Sequence, residues 1–143
     1  MPKPAGVFAR NGGMILLTFA DLVTIAAPLY ADWNTSHIFN ERWPSHARFH
    51  GVVGLGTAIG LAGFGMARLW VRTRDQAAGR DFAAAVPLAY WGSFFPAALV
   101  KGTGVDDEPY PVGRILGLPA NLFYALLTTA LAIWGWLLDR RFR

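Results

Sequence analysis

Charge-free stretches alternate along this chain with short stretches that hold nearly all of its charge. Residues 51–67, 82–100 and 115–138 contain no Asp, Glu, Lys or Arg, and residues 14–30 contain one, Asp21. A helix that crosses a bilayer needs about 20 mostly apolar residues, within a range of about 17–25. Four segments meet that length, and the pattern predicts helices over about 13–30, 50–71, 82–100 and 115–138. The expectation is one all-α domain over 1–143, an integral membrane four-helix up-and-down bundle. The first segment is longer than a signal-peptide core of about 7–15 residues, and no small-x-small site follows it, so it is read as a retained helix.

Lys and Arg set the orientation. The two chain ends and the second loop hold Lys3, Arg10, Arg68, Arg72, Arg74, Arg80, Arg140, Arg141 and Arg143, whereas the first and third loops hold Arg42, Arg48, Lys101 and Arg114. Positive residues collect on the cytoplasmic side. Both termini are therefore expected in the cytoplasm, with the first loop and the acidic Asp106-Asp107-Glu108 loop on the outer face.

Composition narrows the function. The chain is 54% hydrophobic and 15% charged, against about 25% charged in soluble proteins. Its net charge of +4 does not point to nucleic acid, because the basic residues flank apolar spans and form no stripe. The lack of cysteine removes disulfides, thiolate metal sites and cysteine nucleophiles. Gly56, Gly60 and Gly63 share one face of the second helix by their i, i+4, i+7 spacing. Such a face admits a close neighbour. Packing inside the bundle is the expected use; a flat cofactor or a second subunit, making a homo-oligomer, is the alternative.

The richest polar block is residues 32–50, which holds all three histidines, His37, His46 and His50. Trp43-Pro44 marks a helix start. His46 and His50 then stand four apart on one face, a spacing that can hold a metal between two imidazoles. His50 lies deeper and is the better ligand candidate. Trp33, Phe39, Trp43 and Phe49 read as an interfacial aromatic belt.

Asp21 is the second candidate. An Asp at a helix centre costs about 2.5–3.5 kcal/mol of insertion free energy, which eight Leu, Ile, Val and Phe residues at roughly 0.3–0.6 kcal/mol each just offset. Its carboxyl should therefore face the interior, in a structural or an acid-base role. On the later helices Tyr90, Asn121 and Tyr124 offer interior polarity, and with His50 they would ring an outward-opening pocket.

The run Trp43-Pro44-Ser45-His46-Ala47-Arg48-Phe49-His50 resembles the W-P-x-H-A-R-F-H signature of an uncharacterised family of small four-helix membrane proteins. The stretch Ala47-Arg48-Phe49-His50-Gly51, with the looser Trp91-Gly92-Ser93, is also similar to the styrene oxide isomerase family. That resemblance implies haem b at a subunit interface, with His50 as the iron ligand and the iron as Lewis acid on an epoxide.

The leading expectation is a membrane-embedded isomerase or lyase-type enzyme acting on a small apolar substrate. His50, alone or with His46, would bind haem b or another transition metal, and Asp21, Tyr90, Asn121 and Tyr124 would act on or position the substrate. One alternative is a cofactor-free acid-base enzyme using Asp21 and a histidine on a lipid-like substrate. The other is a non-catalytic subunit or carrier that binds a partner through the outer polar loop.

Overall fold

A computed structural model describes residues 7–71, 74–106 and 110–142. The fold is all-helical. Its long helices are α1 (Val7–Asp32), α2 (Ser45–Trp70), α3 (Gln76–Gly92) and α5 (Ala120–Phe142). A single turn, α4 (Phe94–Ala97), follows α3, and a two-residue hairpin, β1 (Arg114–Ile115) with β2 (Leu118–Pro119), precedes α5. Asn11–Asp32, α2 and α5 are each long and apolar enough to cross a membrane. By composition this is a membrane protein.

The element ends differ from expectation for local reasons. The second helix starts at Ser45, where Trp43-Pro44 marks it and ahead of the charge-free run from about residue 50; the Pro44 carbonyl accepts from Arg48 N at 3.1 Å. The third starts at Gln76, where the Asp75 side chain caps Ala78 N at 2.9 Å. It stops at Gly92 instead of running to Val100. Pro96 has no N–H to give the Gly92 carbonyl, and Ser93 Oγ turns back to the Tyr90 carbonyl at 2.7 Å. At 17 residues α3 lies at the lower limit for a span. The last helix starts at Ala120, not Ile115. Leu116 and Gly117 have φ of 52° and 83°, the left-handed pair of a two-residue hairpin turn, so Pro119 falls in β2 ahead of the helix.

α1 packs against α2, α3 and α5, and α3 packs against α2 and α5. The core is lean and close. Ala20, Ala58, Ala62, Ala83, Ala125 and Ala132 are buried, and Met14, Leu17, Leu69, Ala83 and Ala84 form one cluster under Trp136. Indole N–H groups tie the helices together. Trp70 Nε1 donates to Thr18 Oγ1 at 2.8 Å, Trp91 Nε1 to Thr24 Oγ1 at 2.9 Å, and Trp136 Nε1 to Asp81 Oδ1 at 2.9 Å. A hydroxyl or carboxylate acceptor spares each indole the cost of an unpaired donor in an apolar setting.

The close helix approach involves other glycines than those singled out by spacing. A Cβ on Gly13 would fall 2.6 Å from the Gly135 carbonyl oxygen, where α1 crosses α5. Around Gly56, Gly60 and Gly63 a Cβ would meet nothing within 4 Å. Their face points away from the bundle, because α2 buries the opposite seam of Leu55, Ala58, Ala62, Gly65 and Leu69. Gly13→Val should therefore destabilise the fold by about 1–3 kcal/mol, the usual cost of overpacking. Gly60→Ala should leave the melting temperature in detergent unchanged or raise it, since alanine is the better helix former. Equal losses from the two would contradict this packing.

Candidate functional site

The site is built at the end of α1. Asn34 Nδ2 donates to the carbonyls of Ala31 (2.8 Å) and Tyr30 (3.3 Å), satisfying the helix end. That fixes the amide orientation, so Asn34 Oδ1 faces Ser36. It accepts from Ser36 N at 2.9 Å and from Ser36 Oγ at 2.6 Å. The Asp32 carbonyl accepts from Asn34 N (2.9 Å) and Ile38 N (3.1 Å), and Asn40 Nδ2 donates to the Ser36 carbonyl at 2.9 Å. Buried Ile38 and Asn40 anchor this turn.

One consequence is chemical. Ser36 Oγ also lies 2.8 Å from His37 Nδ1. A serine hydroxyl has one proton, and here it is spent on Asn34 Oδ1. Ser36 Oγ must then accept, so neutral His37 carries its proton on Nδ1 and keeps the lone pair on Nε2. Trp43 packs edge-on against the His37 ring, with centroids 5.6 Å apart.

His37 lines a cleft of about 600 Å³ between α1, α3 and α5. Small residues Ala26, Ala27 and Ala31 on α1 make room for it, and Trp91 and Phe94 wall it. Its polar groups are Asp32, His37, Tyr30, Tyr90, Asn121 and Tyr124. Asp32 lies within electrostatic range of both His37 and Tyr90. The volume and the apolar lining with a few polar groups suit a small organic ligand. A smaller cavity of about 260 Å³, beside Ser93 and Thr103, shares Phe94 and Asn121 with it.

The expected site residues divide between three places. Tyr90, Asn121 and Tyr124 do meet at the cleft. Asn121, however, is engaged in holding structure. Its Nδ2 donates to the Val105 carbonyl at 3.0 Å and its Oδ1 accepts from Leu122 N at 2.8 Å, pinning the third loop to the start of α5. Asp21 is not among the cleft residues. It is fully buried on the side of α1 that faces α2 and α3, where a Cβ on Gly65 would come within 3.2 Å of Oδ2. Neither oxygen has a hydrogen-bond partner among the described residues.

His46 and His50 are also outside the cleft. Both are exposed on the first turns of α2, on the face opposite its buried seam, with their Nε2 atoms 3.0 Å apart. An axial haem ligand needs its Nε2 free for the iron, and the His46 ring stands where that iron would go. The pair does not fit haem. The ring of His50, Tyr90, Asn121 and Tyr124 expected around one pocket thus gives way to one with His37 in the histidine's place. Asp32 and His37 were missed; the signal for them was the Asn-x-Ser turn, whose side-chain bonds point the next residue inward.

The acidic loop is a local structure too. Asp106 pairs with Arg114 at 2.7 Å, while Asp107 and Glu108 lie outside the described residues. Among the described residues no group of three or more His, Cys, Asp or Glu could hold a metal ion.

Neither a curated protein nor a solved structure matches the chain, so the styrene oxide isomerase resemblance has no support from them. Residues 16–143 match the model of a family of unknown function (DUF6640), a stretch that takes in every residue lining the cleft, and the chain belongs to that family.

Proposed function

We propose that the protein is a membrane-embedded acid-base enzyme, of the isomerase or lyase type, acting on a small apolar substrate in the cleft between α1, α3 and α5. The observation that carries this reading is His37. Its Nδ1 is committed to Ser36, its Nε2 keeps a lone pair, and it lines an apolar cleft that Tyr90 and Tyr124 also line. A base and hydrogen-bond donors in one apolar cleft suit proton transfer beside a carbonyl or similar oxygen function.

In that reaction His37 takes a proton from carbon next to the substrate's carbonyl. The C–H electron pair shifts toward the oxygen, which a tyrosine hydroxyl holds by a hydrogen bond. While it is held on Nε2 that proton exchanges with solvent, and the imidazolium then delivers one at the far end of the substrate's C=C bond, which moves into conjugation with the carbonyl. No oxidant or reductant enters. Asp32 stabilises the imidazolium formed midway. The apolar walls strengthen each polar contact.

The cleft lies between α3 and two of the three helices that meet the length and composition of membrane spans, α1 and α5. With α3 as a fourth, the arrangement is an up-and-down membrane bundle whose cytoplasmic side carries both termini. The substrate then enters from the outer leaflet side, as suits a lipid-like compound.

The test uses protein in lipid nanodiscs, given a panel of apolar enones, allylic alcohols and epoxides in D₂O. Isomerisation with deuterium incorporated at the shuttled carbon is expected. Ala26→Phe, which fills the cleft from an exposed position of α1, should abolish it without lowering the melting temperature. Turnover without deuterium incorporation, or undiminished in Ala26→Phe, would contradict the reading.

A further inference from the structure

The histidine pair of α2 stands apart from the cleft and carries its own chemistry. His46 and His50 are one helical turn apart, and both are exposed. Their Nε2 atoms lie 3.0 Å from each other, with the rings crossed at 88°. Phe49 stands beside both rings, its centroid 6.3 Å from that of His46 and 5.7 Å from that of His50. Two imidazole nitrogens at the usual 2.0–2.1 Å from a tetrahedral ion would be about 3.3 Å apart. The pair already stands within a few tenths of an ångström of that separation.

We infer that His46 and His50 form a two-imidazole chelate for a borderline divalent transition-metal ion, of the Zn²⁺, Cu²⁺ or Ni²⁺ class. Imidazole suits these ions, whereas Mg²⁺ and Ca²⁺ take oxygen ligands. Without metal, two facing Nε2 atoms must share a proton, one donating to the other. The ion replaces that proton. The positive end of the α2 dipole opposes a cation here, but weakly at an exposed first turn. Two nitrogens set one turn apart on a formed helix outweigh it.

The site is open. Among the described residues no third ligating side chain joins the pair, so water completes the coordination and the ion exchanges readily. Coordination requires residues 46 and 50 to be helical, so the ion also stabilises the first turns of α2 by mass action.

The test is a calorimetric titration of tag-free, chelator-treated protein in detergent with Zn²⁺ alone. Thermal melts and the electron paramagnetic resonance spectrum of the Cu²⁺-loaded protein accompany it. One Zn²⁺ per chain, a Zn²⁺-dependent rise in melting temperature, and a two-nitrogen Cu²⁺ signal are expected. His46→Ala and His50→Ala should each abolish one-to-one binding and cancel the melting shift. His37→Ala should change neither. A His46→Ala/His50→Ala double variant that binds Zn²⁺ as the wild type does would overturn the site, as would loss of binding in His37→Ala alone.

Discussion

Replacing His37 with alanine is expected to lower turnover by about 10²–10⁴-fold, the span that a positioned general acid or base contributes. The fold should survive, because His37 is only partly buried and the turn around it is held by other groups. Ser36→Ala should cost less. It removes the acceptor that keeps the His37 proton on Nδ1, so the two neutral tautomers mix, but the base itself remains. Tyr90→Phe should reduce kcat with the cleft intact, since it deletes one hydroxyl and no wall. His50→Ala should be silent in the same assay, because His50 is exposed on α2 away from the cleft. The decisive comparison is kcat for His37→Ala against His50→Ala on one substrate. If the second variant is dead and the first is active, the catalytic histidine has been misassigned.

The division of labour among the three histidines shows what a sequence can and cannot carry. The helices were legible because charge-free runs of spanning length have few other physical explanations. Tyr90, Asn121 and Tyr124 were legible as neighbours because the last turn of α3 and the first turns of α5 lie at the same end of the bundle. Which histidine joins them was not. That depends on a five-residue turn in which one amide, one hydroxyl and one carbonyl decide the path of the chain. A-R-x-H at a helix start drew attention to His50, but the direction of a helix face is set by what α2 buries.

The glycines of α2 repeat that lesson. Spacing of i, i+4, i+7 defines a face without saying whether it meets a neighbour. Leu55, Ala58, Ala62, Gly65 and Leu69 alternate at three and four residues as well, and theirs is the face that packs. Gly65 lets Asp21 and Ala83 approach α2, with Ala83 Cα at 3.3 Å from where a Cβ would stand. Asp21 was expected to face the interior, and it does; its carboxyl fills that contact, apart from the cleft. A buried carboxyl whose oxygens find no partner among the described residues is not a source of stability by itself. Asp21 therefore marks a place where the bundle tolerates a polar group without using it in the proposed reaction.

The opposite end of the bundle should be the more sensitive to charge removal. Asp139 on α5 is 1% exposed in its side chain and pairs with Arg80 of α3 at 3.0 Å, while the arginine keeps 23% exposure. The pair sits where α1 crosses α5, since a Cβ on Gly13 would meet Asp139 as well as Gly135. It joins α3 to that crossing, beside the Trp136–Asp81 bond and the Arg140 guanidinium stacked 4.6 Å above the Trp136 ring. Counting basic residues by loop placed Arg80 among the cytoplasmic charges, and nothing in its sequence neighbourhood marked an inward role. Removing one partner of a buried pair costs about 3–5 kcal/mol, because the other charge stays behind in a poor solvent. Asp139 has a further interaction and Arg80 retains some water, so Arg80→Ala should fall at or below the low end of that range, measured by thermal or chemical unfolding in detergent. Replacing both charges at once, as Arg80→Met with Asp139→Leu, should recover most of the loss, since an apolar contact of similar volume needs no solvation. A double variant that loses the sum of the two single effects would show that the residues act independently, and that the ion pair does not hold α3 to the α1–α5 crossing.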